Sequence, residues 1–559
     1  MVWDAALPNG IHNIVLNGTY ASWQIAPHAT NLNVHFGSTG IDAVGAACGG
    51  TVGNPGDCAT MYGFTVLRAA SPCIDLTTPA GTSATVLGTV DGVSPIYVRY
   101  QPSDGCATLT MKNVIITNLG GDSSNGDAHS GIAFMPSGAA VNAKVDIQNV
   151  KVLNYYRLFF GGAAWTDVNS SFKWIAVTSY GARSHTYGAV TIFSGRGFHT
   201  SQIYDITDSQ PQTSGYYFYT FGVGTRIDMR RSFVAGNPQF RRGSYANLGM
   251  SPGSGGNVLR DVFCLNYQGS SGTYSCMYDG GSYQYGTSVN GMVSIGNYET
   301  IALRPLANSY RNATPEYTNF WLSEDASVAA DQGVIFIGGS KPHAHHGVVA
   351  VTGQGNYQIG VFAYYGAQPS WDHLTIVGLN THYHQSEGMF FGESGYEVKN
   401  ANGHSNIVMG FDFGIMDCNS SNCSGTTYRI DPGVNAGVHH NDVWDADSGR
   451  WYYYSGGAGF EDTALTPHPH PVYGDLTINP FLADPSRTPF TFDQTQLHGD
   501  GTGSTLIAWA GSRWQLPVGT LNPTQAALGY LFAGFTPMTG NAVCTSGYQG
   551  SQMGALPCK

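Results

Sequence analysis

Short segments alternating apolar and polar side chains recur along this chain and close on Asn or Ser, at residues 114–118, 150–154, 175–179, 232–237, 262–266 and 293–297. The closing residues Asn154, Ser179, Ser209, Asn237, Asn266 and Asn297 stand 25, 30, 28, 29 and 31 positions apart. A second set of apolar runs, each followed by Gly, has centres at Ile132, Leu158, Val190, Phe218, Leu248, Met277 and Leu303, which step by 26, 32, 28, 30, 29 and 26. Alternation with a period of two is the pattern of a strand with one face buried. Two sets of strands sharing one interval predict a solenoid whose successive coils pair in parallel. A sandwich or barrel also gives many short strands, but nothing in those folds holds one interval over seven turns.

Composition agrees. Of 559 residues, 42% are hydrophobic and only 11% charged, which is too apolar for a disordered chain and too poor in charge to decorate exposed helices. The fold class is all-β. Asn at the turns has a physical reason, because it tolerates left-handed backbone geometry and its amides can hydrogen-bond from coil to coil. The formal net charge of -12 excludes a basic stripe for nucleic acid. No run reaches the ~20 apolar residues that span a bilayer. The first residues lack a charged, then apolar leader, so a mature form or another export route is expected.

The ten cysteines fall into close pairs: Cys48 with Cys58, Cys73 with Cys106, Cys264 with Cys276, Cys418 with Cys423, and Cys544 with Cys558. This pattern predicts disulfides and an oxidising, extracellular or cell-surface location.

These columns resemble the right-handed parallel β-helix, or pectate-lyase-like, superfamily, and bacterial extracellular β-helix repeat proteins in particular. Asn441-Asp442-Val443-Trp444, the stretch 478–485 and Gly550-Ser551-Gln552-Met553-Gly554-Ala555 resemble the closing segments of that group. The resemblance covers roughly residues 10 to 500 and implies a right-handed parallel β-helix with capped ends. Five regions follow: an N-terminal cap and first coils with a Cys-rich insertion at 1–106, regular coils at 107–304, a projecting insertion at 305–333, later coils and loops at 334–500, and an apolar C-terminal extension at 501–559. Pro523 after Asn522 marks a helix start in the extension. That apolar tail needs a surface to cover, on this chain or on a neighbouring subunit.

Three residues before the second-column centres stand His129, Tyr155, Tyr187, Tyr245 and Tyr274, and His346 stands three before Val349. Odd spacing turns them outward, as a face for glycan stacking, for subunit contact, or for a stiffening aromatic ladder. Histidines cluster at His343-Ala344-His345-His346, His382-Tyr383-His384, His439-His440 and His468-Pro469-His470. Two His one residue apart on a strand share a face, so His343 with His345, or His382 with His384, can ligate a metal with help from a neighbouring coil, Glu387 or Asp442 being candidates. No cofactor is firmly implied, and calcium stands as a candidate ion. Enzymes of the superfamily act on polysaccharides in a groove along one sheet. By that resemblance Arg157, Arg183, His185 and Tyr187 would form a lyase constellation, with His185 or Tyr187 as base and an arginine stabilising charge. Motifs of calcium-dependent pectate lyases and of Asp-bearing galacturonases are not evident. The leading expectation is a structural or adhesive surface protein that assembles with copies of itself or contacts polysaccharide. A secreted carbohydrate-active enzyme, a lyase or hydrolase, is the alternative.

Overall fold

A computed structural model describes side chains at residues 146–148, 228–232, 258–264, 276–277, 288–294, 314–323, 334–335, 338, 340–351, 358–363, 367–379, 386–392, 401–416, 437–446, 474–485, 524–525 and 527–559, and the backbone of the remaining strand residues. The chain is a parallel β-solenoid, and among the described residues it has one α-helix, Pro523–Gly534. It divides into two compact units, Met1–Gly255 with Asp493–Trp509, and Gly256–Phe492 with Ala510–Lys559.

In the first unit the strands Lys144–Gln148, Ser171–Ile175, Ile203–Thr207 and Arg226–Arg242 stack in parallel. Ile147, Trp174, Ile206 and Met229 fall in register, and Ile147 and Met229 are fully buried. The second column departs from its sequence reading at two centres, by one residue at Phe159 and by eight at Phe240. Ile132 pairs with Phe159 rather than Leu158, and the register continues through Val190 and Phe218 to Phe240 rather than Leu248. Runs of consecutive apolar residues such as Leu158-Phe159-Phe160 leave a strand's facing undetermined, and a slip of one reverses every side chain.

The second unit carries two ladders. The first runs through Val258–Asn266, Ser288–Ile295, Glu316–Ser323, His343–Val351 and Ser370–Gly378, then continues through the split pairs Asn402–His404 with Ile407–Met409 and Val438–His439 with Asp442–Trp444. The second runs through Met277–Asp279, Ile301–Leu303, Ile335–Gly338, Ile359–Tyr364, Glu387–Phe391, Phe413–Asp417 and Tyr452–Gly456, and ends in an antiparallel hairpin with Gly459–Asp462. The stretch expected to project, 305–333, therefore contains a coil strand. Tyr317 lies in register between Val289 and Ala344, steps of 28 and 27. The strand Glu316–Ser323 closes on Ser323, an ending of the same kind as Ser179 and Ser209.

Each coil of the first ladder turns a corner at one residue with positive φ: Asp261, Gly291, Asn319, His346, His373, Ser405, His440 and Gly474. The residue before the corner faces out, and the residue after it faces in. The inward column reads Val262, Met292, Phe320, Gly347, Leu374, Asn406, Asn441 and Asp475, all buried. A side chain at Gly347 would meet the Phe320 ring at 2.1 Å, so glycine there makes room for the phenyl of the coil before. Asn406 and Asn441 form an interior amide stack. The Asn406 side-chain amide donates to Asn441 Oδ1 at 2.9 Å and to the Trp371 carbonyl at 2.9 Å, and Asn406 Oδ1 accepts from Leu374 N at 2.8 Å. Coil-to-coil Asn stacking thus exists, at positions other than those expected. Leu265 pairs with Ile295, a step of 30; Asn297 and the side chains of Asn237 and Asn266 lie outside the described residues.

The C-terminal extension covers its own chain. The helix Pro523–Gly534 packs on the strands Val258–Asn266, Ser288–Ile295 and Glu316–Ser323 with Ala527, Leu528 and Leu531 buried. The Thr524 hydroxyl donates to the Asp261 carbonyl at 3.0 Å, and the Gln525 amide donates to the Asp261 carboxylate. Further on, Val543 and Met553 pack with Ile407, and Gly554 N donates to the Ser405 carbonyl at 2.7 Å. Disulfides join Cys264 to Cys276 and Cys544 to Cys558, with Cα atoms 5.9 and 5.8 Å apart. The other three expected pairs lie outside the described residues.

Candidate functional site: a histidine-lined corner

The outward positions around the corner hold a run of imidazoles and carboxylates. Glu316 lies in register with His343, and Thr318 with His345, which in turn lies in register with Asp372; Asp372 faces His404, and His404 faces His439. The strand Glu316–Ser323 and its neighbours therefore bring residues about 27 to 35 positions apart to the ~4.8 Å spacing of paired strands.

The upper part of this run is a hydrogen-bonded network. His343 Nε2 lies 2.6 Å from Asp372 Oδ1, His373 Nδ1 lies 3.1 Å from Asp372 Oδ2, and His345 Nε2 lies 3.0 Å from Glu316 Oε1. The rings of His343 and His345 stack with centroids 4.4 Å apart, and those of His346 and His373 at 5.1 Å. His345 Nδ1 sits 2.7 Å from His346 Nδ1, so one of the two carries the proton. Burial works to raise the Asp372 carboxyl, but its hydrogen bonds with His343 and His373 outweigh that and hold it well below the usual carboxylate range. The same bond to Asp372 raises His343, whereas burial, then the neighbouring His373 and His345, lowers His346.

Lower down, the extension closes over the corner. The Tyr548 ring lies 5.1 Å from His404, 4.9 Å from His439 and 5.5 Å from His440. Ser405 Oγ accepts from Tyr548 N at 2.9 Å, and His373 Nε2 lies 3.3 Å from Ser551 Oγ. Burial lowers His404, His439 and His440, His439 to about 4 with help from the charges of His440 and His404. Chemically, the corner offers imidazole rings for stacking and hydrogen bonding, and a group of nitrogen and oxygen donors for a cation.

Of the residues singled out in the sequence, His343, His345 and His346 come together here, with His346 exposed and stacked on His373. His346 belongs to the first ladder, so it is not a continuation of the Tyr column that precedes Met277 and its partners. Glu387 and Asp442, expected as third metal ligands, instead point inward. Burial, then the charge of Asp412, raises Glu387 well above the usual range, and burial raises Asp442 to about 7 against the pull of its hydrogen bond from Ile478 N. Both lie on strand positions whose neighbours are apolar core, and the period of two assigns them that face. His439 and His440 lie under Tyr548. His129, Tyr155, Tyr187, Tyr245, Tyr274, Arg157, Arg183, His185, His382, His384, His468 and His470 have side chains outside the described residues. Glu316, Asp372, His373 and His404 were not singled out. Their signal is the corner interval itself, since Glu316 to His343 and His345 to Asp372 are both steps of 27.

Searches against protein-family models, curated proteins and solved structures give no match to this chain.

Proposed function

We propose that the chain is an extracellular structural or adhesive solenoid of the pectate-lyase-like β-helix type, which contacts its partner, a glycan or a second copy, through the histidine-lined corner at the exposed His346. The observation that carries this reading is the stacked pair His346 and His373 on consecutive coils, with centroids 5.1 Å apart. Flat rings repeated at the coil spacing suit a partner that is itself periodic, whether a sugar chain or another solenoid. The two disulfides support an oxidising location.

The test is sedimentation and electron microscopy of the purified chain alongside a panel of polysaccharides. Regular assemblies, or retention on a glycan that His346→Ala with His373→Ala reduces at least tenfold, are expected. Release of unsaturated uronides that Arg157→Ala or His185→Ala abolishes would establish the carbohydrate-active enzyme instead.

A further inference from the structure

Beyond that reading, we propose that Glu316, His343 and His345 form a binding site for a divalent transition metal of the zinc class, which ties two consecutive coils together. Among the described residues they form the one group of three metal-ligating side chains, each offering one ligand atom, with all three atoms within 4.8 Å of one another. Bound to zinc at ~2.0–2.1 Å in a tetrahedron, such atoms would stand about 3.3 Å apart. His345 Nε2 and Glu316 Oε1 are already at 3.0 Å. His343 is the third ligand, held in place by Asp372, and Glu316, whose side chain is 61% exposed, can shift towards it to share the ion.

The surroundings are those a metal-binding histidine requires. Asp372 Oδ1 lies 2.6 Å from His343 Nε2, which fixes the ring and its tautomer and directs Nδ1 to serve as the metal-binding atom. A carboxylate behind a ligating imidazole both orients it and makes it more basic. Asp372 is itself held from the other side by His373 at 3.1 Å. Two imidazoles and one carboxylate suit zinc, nickel or copper, whereas calcium takes six to eight oxygens, so the donor set argues for the transition series. Three protein ligands leave a fourth position open to water or to a donor from a partner. The extension covers the corner at Asp261, through Thr524 and Gln525, and at Ser405, through Tyr548.

The experiment is calorimetric titration of the full chain with zinc, with cobalt as a spectroscopic probe. One ion per chain is expected, together with a cobalt visible spectrum of tetrahedral intensity. His343→Ala and Glu316→Gln should each weaken zinc at least tenfold, and Asp372→Asn should weaken it 10–100-fold. His439→Ala, which alters the other histidine cluster, should leave the affinity within twofold. Glu316→Gln changes a surface side chain, and a melting curve of the metal-free variant that matches the parent excludes misfolding. No zinc binding, binding unchanged by both His343→Ala and Glu316→Gln, or binding lost only with His439→Ala would each overturn the proposal.

Discussion

Gly347 and Phe320 show how side chains of consecutive coils divide one interior space. A methyl group at 347 would sit 2.1–2.5 Å from three atoms of the Phe320 ring, and that ring is fully buried and has nowhere to retreat. Gly347→Ala is therefore expected to cost about 1–3 kcal/mol by overpacking. In a Phe320→Ala background the same change should cost much less, and the coupling read from a double-mutant cycle of urea melts checks this. The Asn406 amide poses the opposite problem. Asn406→Ala leaves the Leu374 N–H, the Trp371 carbonyl and Asn441 without that partner in a buried stack, with an expected loss of about 2–4 kcal/mol. Asp442 is buried with Oδ2 unpartnered and its carboxyl pushed up to about 7. The unfolded chain releases this proton near its usual value of 3.8, so between there and about 7 the folded state holds a proton the unfolded state has lost. Stability from this group is complete below that window, falls as pH rises through it, and is gone above it. Asp442→Asn keeps an oxygen for the Ile478 N–H and should raise stability at pH ~8 by about 1–2 kcal/mol while leaving acid stability unchanged, as urea melts at the two pH values would report.

At the scale of elements, the C-terminal extension behaves as a strap whose grip depends on neutral imidazoles. Burial lowers His404, His439 and His440, with His439 at about 4, so folding over them is favoured when they are uncharged. The unfolded histidines take up protons near 6.5; hence the contribution is present above that value and is lost as pH falls towards 4. Hydrogen exchange at residues 540–559, corrected for its intrinsic pH dependence, is expected to accelerate between pH ~7 and ~4.5, and unchanged protection would refute this. Tyr548→Ala, which opens the cover, should move His439 back towards its ordinary range in a nuclear magnetic resonance titration. The strands themselves were legible because burial of one face imposes a period of two, and coiling imposes a common interval. The helix at Pro523 and the pairs Cys264 with Cys276 and Cys544 with Cys558 were legible for equally local reasons. What was hidden depends on register. A corner at His346 or His373 needs a positive φ, which histidine adopts more often than most residues but too rarely for its presence alone to place a corner, and the meeting of Glu316 with His343 and His345 appears only when both coils are aligned to the residue.

In the molecule as a whole, almost every contact of a solenoid is between one coil and the next, so stability accumulates along the axis as nearest-neighbour terms. The extension departs from that scheme within the second unit. Thr524 bonds the Asp261 carbonyl across 263 residues, and Ala555 N donates to the Thr375 hydroxyl across 180. One segment thus fastens coils as far apart as those of Asp261 and Ile407, and coils joined to a common strap must open together. The disulfide Cys544–Cys558 shortens the free end of the strap, with an expected contribution of about 3 kcal/mol by the loop-entropy model. Removing residues 520–559 should therefore do more than subtract the stability of a helix. It uncovers Ile407 and the face beneath Leu528 and Leu531, and it releases the coils to unfold one after another. The expected result is a urea transition with a lower midpoint and a smaller m-value, spread over several steps by fluorescence of Trp321 and Trp371 in their separate coils. A truncated chain that melts as sharply as the parent, with only the midpoint shifted, would mean that the stacked coils are cooperative by themselves and the strap merely adds to them.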